Sequence, residues 1–147
     1  MITDTINQKI SQALKARDEV RLSTLRMLSS ALNYEKIAKQ HDLSGDEEIV
    51  VVRREAKKRQ DAIEAYEKVD AKDRAEREKK EQEILKEFLP AEMPEGELNE
   101  LISESIKHLG AKTMQDMGRV IGDVMKKAGG KAEGSKVSAL VKKKLEP

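Results

Sequence analysis

Apolar side chains recur every three or four residues along almost the whole chain, the spacing typical of amphipathic α-helices. Four such segments precede a proline-bearing stretch at residues 90–94, and three follow it. The chain is therefore predicted to be all-α, with an N-terminal bundle of about four helices at residues 1–90 and a small three-helix domain at residues 95–147. The stripes of the first four helices are Ile2, Ile6, Ile10 and Leu14; Leu22, Leu25, Leu28 and Leu32; Ile49, Val52, Ala56, Ile63 and Tyr66; and Ala75, Ile84, Leu85, Phe88 and Leu89.

Polar residues mark where several of these helices begin and end. Asp18 is a plausible N-cap for the second helix, and Ser44 with Glu47 has the spacing of a capping box before the third. Gly110 is placed to end the first helix of the C-terminal domain. The middle of the fourth helix, residues 74–83, is almost entirely charged, so it is predicted to be a solvated face.

Composition narrows the functional classes. Of the 147 residues, 39% are charged, only 2% are aromatic and none is cysteine. Few aromatic rings argue against base stacking as the main binding mode. The lack of cysteine excludes thiolate metal sites and disulfides and suits a reducing compartment. With no signal-peptide pattern and no apolar run long enough to span a bilayer, a cytoplasmic protein without membrane contact is expected.

Charge is segregated along the chain although its net value is only +1. Residues 1–89 hold 19 basic and 19 acidic side chains, and residues 90–104 hold five glutamates and no lysine or arginine. Residues 105–147 hold ten basic and four acidic side chains. A local excess of this kind can attract phosphate groups.

Two glycines lie inside the predicted helix that begins near Asp116. A glycine in a helix interior costs about 1 kcal/mol relative to alanine, so Gly118 and Gly122 need a reason. Both fall at the border of the apolar face, so they are predicted to let a neighbouring helix pack closely.

A glycine- and lysine-rich loop, "GGKAEGSK" at residues 129–136, follows this helix. It is weakly similar to a phosphate-binding P-loop, but the order is Ser-Lys and the loop follows a helix instead of a strand, which excludes a nucleotide triphosphatase. The start of the last helix could still attract an anion between Lys131 and Lys136. The alternative is that the glycines only end one helix and Ser135 only caps the next.

Together these features define one candidate site for phosphate contacts. It comprises Arg119, Lys126, Lys127, Lys131, Ser135 and Lys136. A second basic run, residues 53–60, ranks lower because the same helix also carries glutamates, and a solvated helix face is the favoured interpretation of that run.

The C-terminal segments "DMGRVIGDVM" and "GKAEGSKVSALVKKKL" resemble the tail domain of the B subunit of the aspartyl/glutamyl-tRNA amidotransferase, which the free-standing proteins of the GatB/YqeY family share. Upstream, "ALKARDEVRLSTLRMLSSALNYEKI", "EAKKRQDAIEAYEK" and "EILKEFLPAEM" are similar to the stand-alone YqeY-like members. The resemblance spans essentially the whole chain.

This resemblance implies an all-helical protein with a three-helix C-terminal domain. In the amidotransferase the tail domain helps to hold tRNA, while amide transfer occurs elsewhere. The chain is therefore expected to be a non-catalytic accessory protein that binds tRNA or another structured RNA. Two alternatives stay open: a component of a carbon-nitrogen ligase with glutamine as amido donor, acting with an amidotransferase subunit, and a protein-interaction module.

No side chain in the sequence is predicted to be catalytic. Without cysteine or a serine-lysine constellation there is no evident nucleophile for glutamine hydrolysis. His41 and His108 are far apart and are interpreted as surface residues, so no metal or cofactor is expected. Tyr34, Tyr66 and Phe88 are predicted to pack in the core, and a monomer is expected.

Overall fold

A computed structural model describes all 147 residues and is entirely helical, which confirms the predicted fold class. The chain divides into two compact units, Met1–Leu89 and Pro90–Pro147. None of its helices is both long and apolar enough to cross a membrane. The helices are α1 Ile2–Lys15, α2 Glu19–Lys39, α3 Gly45–Lys68 and α4 Lys72–Lys86 in the first unit, and α5 Glu95–Leu109, α6 Met117–Ala128 and α7 Gly134–Leu145 in the second.

The predicted helix ends are largely confirmed. The Asp18 side chain accepts a hydrogen bond from the backbone N–H of Arg21, and Ser44 and Glu47 form a capping box at the start of α3. Gly110 ends α5 with a φ of +64°, a conformation that glycine adopts without strain. These caps fix the helix boundaries because each satisfies backbone groups that have no partner inside the helix.

The core of the first unit is aliphatic, as the low aromatic content requires. Leu25, Leu28, Val51, Val52 and Leu85 are completely buried. In α1 the predicted stripe holds only in part, because Ile6 is buried but Leu14 is 55% exposed. The prediction for Tyr34 is wrong: its side chain is 75% exposed on α2. Tyr66 and Phe88 are half-buried.

A buried carboxylate ties α1 to α3. Glu48 is 1% exposed and accepts hydrogen bonds from the backbone N–H groups of Ile2 at 2.8 Å and Thr3 at 3.0 Å, and from the Thr3 hydroxyl. No side chain of α1 itself caps this helix start. Glu48 therefore acts as a cap supplied by another helix, and its negative charge lies at the positive end of α1.

Charged side chains also join α3 to α4, which contradicts the prediction of a solvated middle for α4. Arg59 of α3 lies 3.4 Å from the Glu78 carboxylate and 3.2 Å from that of Glu81. Glu81 is buried and Glu78 is half-buried. Burial raises the pKa of Glu78, while Arg59 opposes that rise. Helical periodicity could not reveal this arrangement, because the buried partners are charged rather than apolar.

The second unit has its own aliphatic core, in which all three helices take part. The buried residues comprise Leu98, Ile102, Ala111, Val120, Val124, Ala128, Ala132, Val137, Val141 and Leu145. A single 3-10 turn, Met114–Asp116, precedes α6, and Thr113 and Asp116 form a capping box around it. This core fixes the orientation of α6 and hence the face that α6 presents to solvent.

Candidate nucleic-acid interface

The two glycines within α6 face open space. Gly118 and Gly122 are exposed, and a Cβ atom built on either would meet no heavy atom within 4 Å. The prediction that they allow another helix to approach is therefore wrong. The sequence placed them at the border of the apolar face, and the three-helix core covers the centre of that face without reaching them.

Gly122 leaves an uncovered patch of helix backbone between two cations. Residues three and four apart are neighbours on a helix surface, so Arg119 precedes Gly122 and Lys126 follows it on one side of α6. Arg119 and Lys126 are both exposed and lie about 10 Å apart along the helix axis, at 1.5 Å per residue. We call this surface the Gly122 patch: Gly118, Arg119, Gly122 and Lys126.

The start of α7 contacts the C-terminal part of α6. A Cβ atom on Gly134 would lie 4.0 Å from the terminal methyl of Met125, and Met125 is three residues beyond Gly122. The fold thus brings the loop that carries Lys131, and the first turn of α7 that carries Lys136, to the C-terminal end of α6. Gly129 and Gly130 make this turn possible, since both have positive φ values of 56° and 82°.

Three of the predicted cations are held by carboxylates. Arg119 pairs with Asp116 at 2.6 Å, and Lys127 pairs with Asp123 at 3.1 Å. Lys136 pairs with Glu92 at 3.3 Å. All of these cations keep substantial exposure, so the pairs are surface interactions that water and ions weaken.

Two of the predicted cations, Lys126 and Lys131, form no ion pair within 4.0 Å and are exposed. They are the basic groups of the candidate site that could meet a phosphate without first giving up a carboxylate. The Lys127 pair has i, i+4 spacing and could be read from the sequence. The partner of Lys136 could not, because Glu92 is 44 residues away and reaches it only through the fold.

Asp116 and Asp123 have structural partners of their own. The backbone N–H groups of Lys112 and Thr113, with the Arg119 guanidinium, lower the pKa of Asp116 to about 2, the Lys112 N–H having the largest effect. Asp123 accepts a 2.6 Å hydrogen bond from the hydroxyl of Ser105, which is the main reason that its pKa is lowered. Asp123 thereby links α6 to α5.

Ser135 does not cap the last helix as the alternative interpretation proposed. The N-cap of α7 is Glu133, and Ser135 is the second helical residue. The Ser135 hydroxyl donates to the Glu133 carboxylate at 3.0 Å. A negative side chain already lies at the positive helix start, so this terminus attracts an added anion less than the sequence suggested.

Basic side chains of the second run, residues 53–60, form ion pairs with carboxylates of the first unit. Arg54 pairs with Glu35 at 2.9 Å, Lys57 with Asp61 at 3.4 Å, and Lys58 with the buried Glu55 at 3.1 Å. Arg59 belongs to the contact between α3 and α4. The interpretation of this run as a solvated face is wrong for Arg59, which stabilises the packing of two helices.

The second unit also contains one buried polar side chain, that of Ser105. Ser105 is the one side chain there with a direct carboxylate hydrogen bond between two helices, but it is 0% exposed, so a substrate cannot reach its hydroxyl. No three His, Asp or Glu side chains are grouped so that they could hold a metal ion. The exposed surface of α6 instead presents Arg119 and Lys126 on either side of Gly122, where no side chain covers the helix backbone.

Comparison with known proteins identifies the family. A family model described as Yqey-like protein matches residues 3–145, so this chain belongs to the YqeY family. Among proteins with curated descriptions, none matches the chain. The similarity of the second unit to the amidotransferase tail domain stays a prediction from the sequence.

Proposed function

We propose that this YqeY-family protein is a non-catalytic accessory protein that binds tRNA or another structured RNA through the phosphates, using the second unit. The observation that carries the proposal is the Gly122 patch, where bare helix backbone lies between Arg119 and Lys126. Lys131 adds a further exposed cation without an ion pair.

A phosphate backbone fits this surface for steric and electrostatic reasons. At Gly122 no side chain keeps a bulky ligand away from the helix, and the cations on either side can each contact one phosphate. Lys126 and Lys131 gain such a contact without losing a carboxylate partner. Arg119, Lys127 and Lys136 can exchange an exposed carboxylate for a phosphate at small cost, since exposed ion pairs contribute about 0 to 1 kcal/mol.

The same surface disfavours recognition of single unpaired bases. All three aromatic residues, Tyr34, Tyr66 and Phe88, belong to the first unit, so the second unit has no ring on which a base could stack. Contacts to phosphates carry no sequence information and instead fix position on a folded RNA. The proposed ligand is therefore recognised by the spacing of its phosphates.

A salt titration with matched variants tests the proposal. Binding of a folded tRNA should weaken as salt rises, because each neutralised phosphate releases counterions. Replacing both Lys126 and Lys131 by glutamine should lower the affinity and flatten the plot of log affinity against log salt by roughly one to two units. Helicity should be unchanged, since both side chains are exposed.

The control removes the same charge from the other unit. Lys80 and Lys86 lie on α4, are exposed and form no ion pair, so Lys80→Gln with Lys86→Gln changes net charge equally. This control should leave most of the affinity and salt slope in place. Equal losses in both double variants would show that binding follows net charge alone and would refute the proposed interface.

The carbon-nitrogen ligase and protein-interaction alternatives stay predictions. No contact in either unit favours one of them over RNA binding. Co-purification of a stable amidotransferase subunit in the absence of RNA would favour the ligase alternative over the proposal made above.

A further inference from the structure

Residues 90–94, which precede α5, contact the loop between α6 and α7 that carries Lys131. The backbone N–H of Met93 donates to the carbonyl oxygen of Lys131 at 2.7 Å, and the Met93 side chain packs against the core of the second unit. The preceding residue, Glu92, places its carboxylate 3.3 Å from the ammonium group of Lys136. The contacts of Met93 thus hold the backbone in a position from which the Glu92 side chain reaches the proposed RNA-binding site.

Glu92 differs from the other carboxylates near this site. Asp116 binds backbone N–H groups, Asp123 binds the buried Ser105 hydroxyl, and Glu133 binds the Ser135 hydroxyl. Glu92 is 59% exposed and forms no hydrogen bond or ion pair except the one with Lys136. Its side chain therefore holds no other part of the fold in place.

We propose that Glu92 is an intramolecular competitor for phosphate, which occupies Lys136 until an RNA phosphate displaces it. This inference rests on the proposed function, because it concerns the regulation of that same site. A carboxylate and a phosphate oxygen both accept charge-assisted hydrogen bonds from an ammonium group. The two anions therefore exclude each other at Lys136.

Displacement requires only a side-chain rotation. Residues 90–94 lie outside any helix, and the Met93 contacts hold the backbone whether or not Glu92 touches Lys136. The tether also keeps the carboxylate at a high effective concentration near the ammonium group. RNA must compete with that local concentration, so the pair lowers affinity and makes weakly bound polyanions less able to occupy the loop.

The test compares Glu92→Gln with Glu100→Gln for binding of a folded tRNA. Glu100 is an exposed carboxylate of α5 without an ion pair, so its replacement makes the same change in charge in the same unit. Glu92→Gln should raise the affinity at low salt about two- to fivefold, the range that an exposed ion pair can supply. The gain should shrink at high salt, where such a pair is screened.

Two further variants, Lys136→Gln alone and Lys136→Gln with Glu92→Gln, test whether the gain in affinity depends on Lys136. In a Lys136→Gln background, adding Glu92→Gln should no longer raise affinity, because the cation for which the two anions compete is gone. Equal gains from Glu92→Gln and Glu100→Gln, or a Glu92→Gln gain that persists without Lys136, would overturn the competitor role while leaving RNA binding intact. If none of the proteins bound tRNA, the proposed function and this inference would both fall.

Discussion

Replacing the two exposed glycines of α6 by alanine should stabilise the second unit. Glycine in a helix interior is about 1 kcal/mol less favourable than alanine, because it loses more backbone freedom on folding. At Gly118 and Gly122 the added methyl group meets nothing within 4 Å, so no steric cost opposes that gain. Gly122 lies in the interior of α6, whereas Gly118 is only its second residue and should contribute less. The double variant should therefore gain about 1 to 2 kcal/mol if the sites are independent.

Amide hydrogen exchange in the full-length protein measures this gain in stability separately for the second unit. Exchange at core positions such as Val120 and Val124 reports the free energy of opening of the structure around them. A gain of 1 to 2 kcal/mol corresponds to about 5- to 30-fold slower exchange. Amides in the core of the first unit should exchange at unchanged rates.

Gly110→Ala is the matched control. Its Cβ would also meet nothing within 4 Å, but its φ is +64°, so alanine is strained there by about 1 kcal/mol or more. This variant should exchange faster than wild type. Slower opening in Gly118→Ala and Gly122→Ala with faster opening in Gly110→Ala would match the structure, whereas destabilisation by the two α6 alanines would refute an open Gly122 patch and restore the packing interpretation.

Four further results are expected. Gly122→Leu should weaken tRNA binding without destabilising the protein, because the side chain covers the backbone patch; unchanged affinity by fluorescence titration would contradict this. Glu48→Ala should destabilise the first unit by about 2 to 4 kcal/mol in urea unfolding, since two N–H groups of α1 lose their acceptor; a change within error would mean that water replaces the carboxylate. The pKa of Asp116 is depressed to about 2, so its contribution to stability should be complete above about pH 4 and disappear as pH falls toward 2; Asp116→Asn should show a flatter stability profile over that window. Ser105→Ala should raise the pKa of Asp123 in an NMR titration, because the hydroxyl is the main cause of its depression; an unchanged titration would remove the link between α5 and α6.

The sequence could predict the helices because their apolar periodicity and their caps are local features. Ser44 with Glu47, and Gly110, act within a few residues of the helix ends they define. Glu48 was not identified as a cap, because its partners Ile2 and Thr3 are more than 40 residues away. The charged contact between Arg59 and Glu81 was missed for a similar reason, since a buried charge looks like a solvated one in a hydropathy pattern.

The candidate site could be assigned to a region but not to individual interactions. The local charge excess indicated α6 and the following loop, where Lys126 and Lys131 are exposed. The role of Gly122 was misjudged, because position on a helical wheel does not show how far a neighbouring helix extends. The partner of Lys136, Glu92, lies in the proline-bearing stretch between the two predicted domains, 44 residues away in the sequence.

Photochemical crosslinking of RNA to the protein in cells, followed by identification of the RNA and of the crosslinked peptides, tests the central proposal most directly. Structured RNA, with tRNA enriched, should be attached to peptides within residues 117–136. Recovery of those adducts should fall in the protein that carries Lys126→Gln and Lys131→Gln. Recovery of no RNA, or crosslinks confined to residues 1–89, would contradict the assignment of RNA binding to the second unit.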